Sequence, residues 1–251
     1  MLKEQEFLGI TFSDGTMNDV RTRLHEMVDA NTYSYVVTPN VDNVVSFHDA
    51  SYPKTQEIYS KAGLTLCDSK VLSILGRFLG VRMRPCTGSD LTRSLIENPL
   101  YDGCRMAVLG PPREDFDVLR QKYPASDIRY LPAPARLTIG TPEWDETVDG
   151  AMSAEWDLLF VCITFPKQEN IVYDLLTRGC SRGVAFCVGA SIDFLTGKQV
   201  RAPRIYTTLG LEWLHRLLSN PKRMWKRYLV KGPKIFPIMF RYAWKKFRNK
   251  A

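Results

Sequence analysis

The sequence predicts an α/β fold: a mostly parallel sheet flanked by helices, followed by a basic, amphipathic C-terminal helical appendage. Three observations carry that expectation. Strand-like apolar runs alternate with helical stretches along the first two hundred residues, the pattern of βαβ units. One such run, from Asp157 to Ile163, is apolar throughout, as a strand covered on both faces must be, and then breaks into Pro166-Lys167-Gln168-Glu169-Asn170. After Gly197 the texture changes: from Trp213 onward there are twelve Lys and Arg and no Asp or Glu. Since the whole chain carries +7, the remainder carries 7 − 12 = −5, and the basic character belongs to one surface.

The strand candidates are, in order, FLGITF, YSYVVT, LTLCD, CRMAVLG, IRYL, DLLFVCI and GVAFCVG. Between them, helical spacing is expected over residues 42–62, 89–97 with Ser89 as N-cap, 113–123, 143–155 and 167–178. Residues 80–90, rich in Arg, Pro and Gly, read as a loop. The tail has an apolar helical face at Leu211, Leu214, Leu217 and Leu218. Further on, Phe236, Phe240, Trp244 and Phe247 repeat at helical spacing, with Arg241, Lys245 and Arg248 on another side. The expected division is a Rossmann-like core over residues 1–197 and an appendage outside it over 198–251.

A chain of 251 residues with 45% hydrophobic content can bury a full core. It has no apolar run of eighteen residues, and MLKEQEFLGI lacks the basic-then-apolar texture of a secretory signal. The expectation is a cytoplasmic protein that crosses no membrane. Six cysteines without a CxxC read as reduced core thiols, and three scattered histidines argue against a dedicated zinc site. Neither a P-loop nor a GxGxxG follows a strand. Asp115-Phe116-Asp117 is formally a DxD but falls in a helix and reads as a solvated face.

Candidate chemistry gathers where strands end, because ligands of open α/β sheets bind at that edge. The ends are Thr38-Pro39-Asn40, Asp68-Ser69, Gly110-Pro111-Pro112, Thr164 to Glu169, and Gly189-Ala190-Ser191. Thr38, Asn40 and Asp68 are also good helix caps, so each has two readings. Phosphate charge would have to be met by helix N-termini or by Arg201, Arg204 and Arg216, whose alternative is plain surface charge.

Taken in order, TPNVDNVV, CDS, MAVLG, FPKQEN, CVGASIDFLTGKQVRAPR and LGLEWLHRLLSNPKRMWKR resemble the WecG/TagA/CpsF family of bacterial glycosyltransferases (glycosyltransferase family 26), from about residue 8 to about residue 227. Two departures stand out. Asp68-Ser69 replaces the usual Asp-Gly, and Thr164-Phe165 replaces a glycine-containing pair.

The resemblance implies an inverting, metal-independent transferase without cofactor. It moves a sugar from a UDP-sugar donor to a polyprenyl-diphosphate-linked sugar acceptor in surface polysaccharide biosynthesis. Asp68 then matches the general base, with Thr38 and Asn40 as polar groups near it. Lys167, Gln168 and Glu169 match the site loop, with Gly110 and Gly189 at neighbouring strand ends. Arg201, Arg204 and Arg216 are the appendage arginines toward the diphosphate. The appendage would hold the enzyme on the anionic, cytoplasmic face of the bacterial inner membrane; an aromatic tail can equally pack on a sister subunit. A neutral hexose is favoured slightly as the sugar moved, since no extra basic group at the strand ends awaits a carboxylate. A nucleic-acid-binding protein shares the basic, aromatic tail but leaves PKQE unexplained; a membrane-anchored scaffold is the other rival.

Overall fold

The structure, a computed structural model, describes residues 1–248, apart from the side chains of Pro99, Arg204, Thr208 and Arg223. It opens with an antiparallel hairpin, β1 (Lys3–Phe7) and β2 (Ile10–Asp14). Leu8 and Gly9 both have positive φ, 53° and 75°, the geometry that matches the twist of a two-residue hairpin turn. FLGITF is therefore the turn of a separate hairpin and not a strand of the parallel sheet.

The α/β core follows. It runs α1 (Met17–Asp29), β3 (Ser34–Val37), α2 (Val41–Phe47), α3 (Thr55–Ser60), β4 (Leu64–Thr65), α4 (Lys70–Phe78) and α5 (Gly88–Ile96). It continues with β5 (Met106–Leu109), α6 (Arg113–Lys122), β6 (Ile128–Leu131), α7 (Pro142–Ser153), β7 (Leu158–Val161), α8 (Lys167–Thr177), β8 (Val184–Cys187) and α9 (Ser191–Thr196). Six strands pair in the order β4-β3-β8-β7-β5-β6, every pair parallel. Side chains alternate between two helical layers. Tyr35, Val37, Leu109, Val161 and Cys187 join the core beneath α2, α3, α4, α7 and α8. Val36, Val108, Phe160 and Phe186 join the core beneath α1, α5, α6 and α9. Cover on both faces is why the central strands read as continuous apolar runs.

Two expected helices differ. The stretch 42–62 is broken between α2 and α3, where Asp49 Oδ1 accepts the Ser51 N–H at 2.9 Å and Pro53 disfavours helix in the residue before it. The helix expected from Ser89 begins at Gly88, and Thr87 caps it by accepting the Asp90 N–H at 3.1 Å. The DxD is only half solvated: Asp117 pairs with Arg113 on the surface, but Asp115 is buried and paired with Lys198 at 2.6 Å. The six cysteines are free thiols.

The tail forms α10 (Arg204–Leu209), α11 (Glu212–Ser219), α12 (Pro221–Trp225), a π-helical stretch Lys226–Lys231, a single 3-10 turn and α13 (Ile235–Arg248). It does not lie outside the core. Ile235 and Ile238 are buried among the hairpin and α2 side chains, and Tyr242 packs edge-on to Phe7 while its hydroxyl donates to Glu6 O at 3.1 Å. Lys246 Nζ reaches Leu79 O at 2.9 Å. Asp42 of α2 pairs with Arg227 at 3.2 Å and Lys231 at 2.7 Å. What α13 turns outward is the aromatic stripe: Phe236, Phe240, Trp244 and Phe247 are 61%, 69%, 64% and 73% exposed.

Because α13 is seated by two isoleucines, Ile235→Ala and Ile238→Ala are each expected to lower unfolding free energy by about 2–4 kcal/mol in urea titrations. Phe240→Ser, on the outward face, is expected to change it by less than about 0.5 kcal/mol.

Candidate active site

The exits of β5 and β7 are led in opposite directions, since β5 feeds β6 at one side and β7 feeds β8 at the other. That divergence opens a crevice at the C-terminal edge of the sheet. Gly110, at the end of β5, has φ 98°, and a Cβ there would stand 2.4 Å from Ile163 Cγ1, so only glycine lets the two strand exits approach.

At the exit of β3, on the same edge of the sheet, Thr38 and Asn40 are committed to the scaffold. Thr38 is buried and its hydroxyl donates to Cys187 O at 2.7 Å, tying the end of β3 to that of β8. Asn40 caps α2: its Oδ1 accepts the Asp42 and Asn43 N–H groups at 2.9 and 3.4 Å, and Asn43 returns the bond. These contacts hold the loop that sets Asp68 in place, for the Asp68 N–H donates to Pro39 O at 3.0 Å.

Asp68 itself is not the cap of α4. Ser69 is, accepting the Leu72 N–H at 3.1 Å, which leaves the Asp68 carboxyl half-buried at the C-terminal edge of the sheet. Withdrawal from water is the largest influence on it and pushes it up to about 7. Arg216 and the Gly88 N–H at the start of α5 pull the other way, while Glu212 and Asp90 reinforce the rise. Gly88 is also packed tightly on the exit of β8, where a Cβ would lie 3.3 Å from Val188 Cα and 3.2 Å from Ser191 Oγ.

The tail supplies the other wall. Arg216 on α11 lies over the Phe194 ring at 5.1 Å, and this packing carries its guanidinium into range of Asp68. Arg201 bonds Ser89 Oγ at 3.0 Å and Asp90 at 2.6 Å, beside the N-terminus of α5. Arg204 starts α10, and its side chain lies outside the described residues.

The PKQE loop points inward more than its composition suggests. After a cis Phe165–Pro166 bond, Gln168 and Glu169 are buried at 7% and 2% exposure. Gln168 Oε1 accepts the Gly189 N–H at 2.9 Å, and its Nε2 donates to Glu169 Oε1 at 3.0 Å, so the pair pins the exit of β8. Glu169 Oε2 and the Tyr59 hydroxyl are buried without a hydrogen-bond partner, and burial pushes the Glu169 carboxyl up to about 7. Lys167 is half-buried at the start of α8, and no ion pair is formed by it among the described residues. Lys231 of the tail lies near the rings of Tyr52 and Phe165, 5.6 and 5.8 Å away.

Of the expected residues, the structure thus gathers Asp68 and Arg216 at one point, with Arg201 beside the start of α5. It uses Thr38, Asn40, Gln168 and Glu169 to hold the strand exits. Gly88, Phe194 and Lys231 were not anticipated; the Thr87-Gly88-Ser89-Asp90 cluster, a cap motif following a loop, was the available signal. Among the described residues no three His, Cys, Asp or Glu side chains gather to share a metal ion.

Comparison with known proteins adds two findings. The sequence matches the Glycosyl transferase WecG/TagA/CpsF family over residues 5–249. It is similar to the N-acetylglucosaminyldiphosphoundecaprenol N-acetyl-beta-D-mannosaminyltransferase of Bacillus spizizenii (strain ATCC 23059 / NRRL B-14472 / W23), with 26% identity over 208 residues, 80% of this chain and 77% of that protein.

Burial of Glu169 sets a pH dependence of stability. The folded protein holds this proton up to about 7, whereas the unfolded chain releases it near 4.5, so folding is disfavoured as pH rises through that window. In urea titrations at pH 5 and pH 8, wild type is expected to lose on the order of 3 kcal/mol relative to Glu169→Gln. Parallel behaviour of the two proteins would contradict the assignment.

Proposed function

The chain belongs to the WecG/TagA/CpsF family of glycosyltransferases, and we propose that it moves a hexose from a UDP-sugar to a polyprenyl-diphosphate-linked sugar in bacterial surface polysaccharide biosynthesis, with inversion and without a metal ion. The relative from Bacillus spizizenii acts, by its name, on N-acetylglucosaminyldiphosphoundecaprenol. An undecaprenyl-diphosphate-linked N-acetylglucosamine is accordingly the first acceptor for this chain.

The observation that carries the reading is the Asp68 carboxyl, raised to about 7 at the C-terminal edge of the sheet within range of Arg216. A general base works best when its pKa lies near the operating pH. In an inverting displacement the acceptor hydroxyl attacks the anomeric carbon from the face opposite UDP. As the new C–O bond forms, Asp68 takes the hydroxyl proton, and the bond to UDP breaks with its electron pair going to the diphosphate. The growing negative charge calls for preorganised donors. Arg216 is the best placed guanidinium, and Arg201 and Lys167 are further cations near the strand exits. Guanidinium suits this role because its planar fork matches two phosphate oxygens at once. Thr38, Asn40, Gln168 and Glu169 act as positioning residues for the loops that carry these groups.

The acceptor's lipid places the reaction at a bilayer. No helix among the described residues is long and apolar enough to span one. The outward aromatic stripe of α13 and the tail's basic residues support peripheral attachment to the cytoplasmic face. Aromatic side chains enter the headgroup boundary, and each Lys or Arg near an anionic surface adds roughly 1 kcal/mol.

UDP release by the full-length protein in detergent, over a panel of UDP-sugars with and without the lipid-linked acceptor and with EDTA present, tests the reading. Acceptor-dependent release from one donor, undiminished by EDTA, is expected; release that vanishes with EDTA would overturn metal independence. Asp68→Asn is expected to lower kcat/KM by about 10²–10⁴-fold with the fold intact by circular dichroism. Since the base must be ionised, kcat/KM should rise with pH and reach half its plateau near pH 7. A flat profile from pH 5.5 to 8.5 would remove Asp68 from the base role.

A further inference from the structure

The end of α4 and the loop behind it build a second polar pocket. Arg77, Arg82 and Arg84 share the wall of an open cavity of about 400 Å³ with Asp14, Ser73 and Met83. The loop is fixed in that shape. The Val81 N–H donates to Gly76 O at 2.9 Å, the Ser73 hydroxyl donates to Met83 O, and the Arg84 N–H donates to Asp14 Oδ1 at 2.6 Å. A Cβ at Gly76 would stand 2.7 Å from Met83 Cε, so loop and helix are in close contact. Three guanidinium groups therefore face one carboxylate already engaged by a backbone N–H. None of the three forms an ion pair among the described residues.

The cavity's position narrows its ligand. Lys246 of α13 bonds Leu79 O, which ties the last turns of that helix to the same loop. Phe78, next to Arg77, is 80% exposed. The pocket therefore lies on the loop to which the end of α13 is tied, with an exposed aromatic ring, Phe78, next to one of its arginines. When aromatic rings enter a bilayer's headgroup boundary, groups at the rim of that surface lie at the depth of the lipid phosphates. Arginines there match phosphate oxygens in geometry and in charge.

We propose that the Arg77, Arg82 and Arg84 pocket seats the phosphodiester headgroup of an anionic phospholipid, a lipid contact site distinct from the sugar-transfer crevice. The inference rests on the membrane attachment stated above and adds headgroup recognition to it. Phospholipid phosphate bound there would fix the tilt of the protein on the bilayer, which the aromatic stripe alone leaves free to rock about the axis of α13.

The test uses the full-length protein and two sets of phosphatidylcholine vesicles matched in surface potential, one containing phosphatidylglycerol and the other oleate, whose charge is a carboxylate. Wild type is expected to bind the phosphatidylglycerol vesicles at least about fivefold more tightly. Arg82→Gln with Arg84→Gln should abolish that preference. Lys54→Gln with Arg136→Gln, which removes equal charge from exposed sites elsewhere, should keep it. Phe240→Ser with Trp244→Ser should weaken binding to both vesicles and leave the ratio unchanged. A preference that survives in the Arg82/Arg84 variant, or its absence from wild type, overturns the pocket and leaves attachment standing. Failure of wild type to bind either vesicle overturns both. An acceptor KM in detergent raised tenfold by the Arg82/Arg84 variant would instead assign the pocket to the acceptor's diphosphate and overturn the phospholipid.

Discussion

The arrangement at the sheet edge turns on the cost of holding the Asp68 carboxyl away from water. Desolvation alone would keep such a group protonated at neutral pH; a free guanidinium and a helix N-terminus alone would keep it fully ionised. Here the two oppose each other and the carboxyl settles at about 7. That balance depends on parts far apart in the chain. The loop after α4 returns to β4 through the Cys86 N–H bond to Cys67 O at 2.8 Å, which delivers Gly88. The tail delivers Arg216 across Phe194. Moving either would shift the proton affinity of the Asp68 carboxyl.

The tail therefore does two things with two faces. Its inward side is part of the protein's interior, through Ile235, Ile238, Tyr242 and the Asp42 ion pairs. Its outward side leaves four large aromatic rings in solvent, an arrangement that a soluble monomer has reason to avoid unless the surface is used. One continuous segment thus links the outward aromatic surface with the arginine in range of Asp68. The proposed sugar transfer from a water-soluble nucleotide to a lipid-borne acceptor calls for that proximity.

Much of the fold is legible because it is written in local patterns. The central strands announce themselves by runs that are apolar at every position, since both faces are covered. FLGITF has the composition of a single strand, and only the positive φ of Leu8 and Gly9 reveals the hairpin turn. Helix α1 carries a readable signal, the reciprocal box between Thr16 and Asp19, and α4 has its cap in Ser69. The site is less legible. Polar residues at strand ends gather at one edge of the sheet, but composition does not say which of them are spent on holding the scaffold. Gln168 and Glu169 turn inward to hold Gly189, and Asn40 is spent on a helix end. Nor does the sequence choose among three arginines, because the meeting of residues 68 and 216 is set by how α11 packs on α9, a tertiary contact with no local signature.

The central claim is that burial and Arg216 together tune Asp68 to act as a base at neutral pH. A carbon-13 NMR titration of the Asp68 carboxyl in the full-length protein tests this without any assumption about substrate. The account predicts a midpoint near 7 that moves higher in Arg216→Gln, because the guanidinium favours the charged form. A midpoint near 4, unmoved by that substitution, would contradict it.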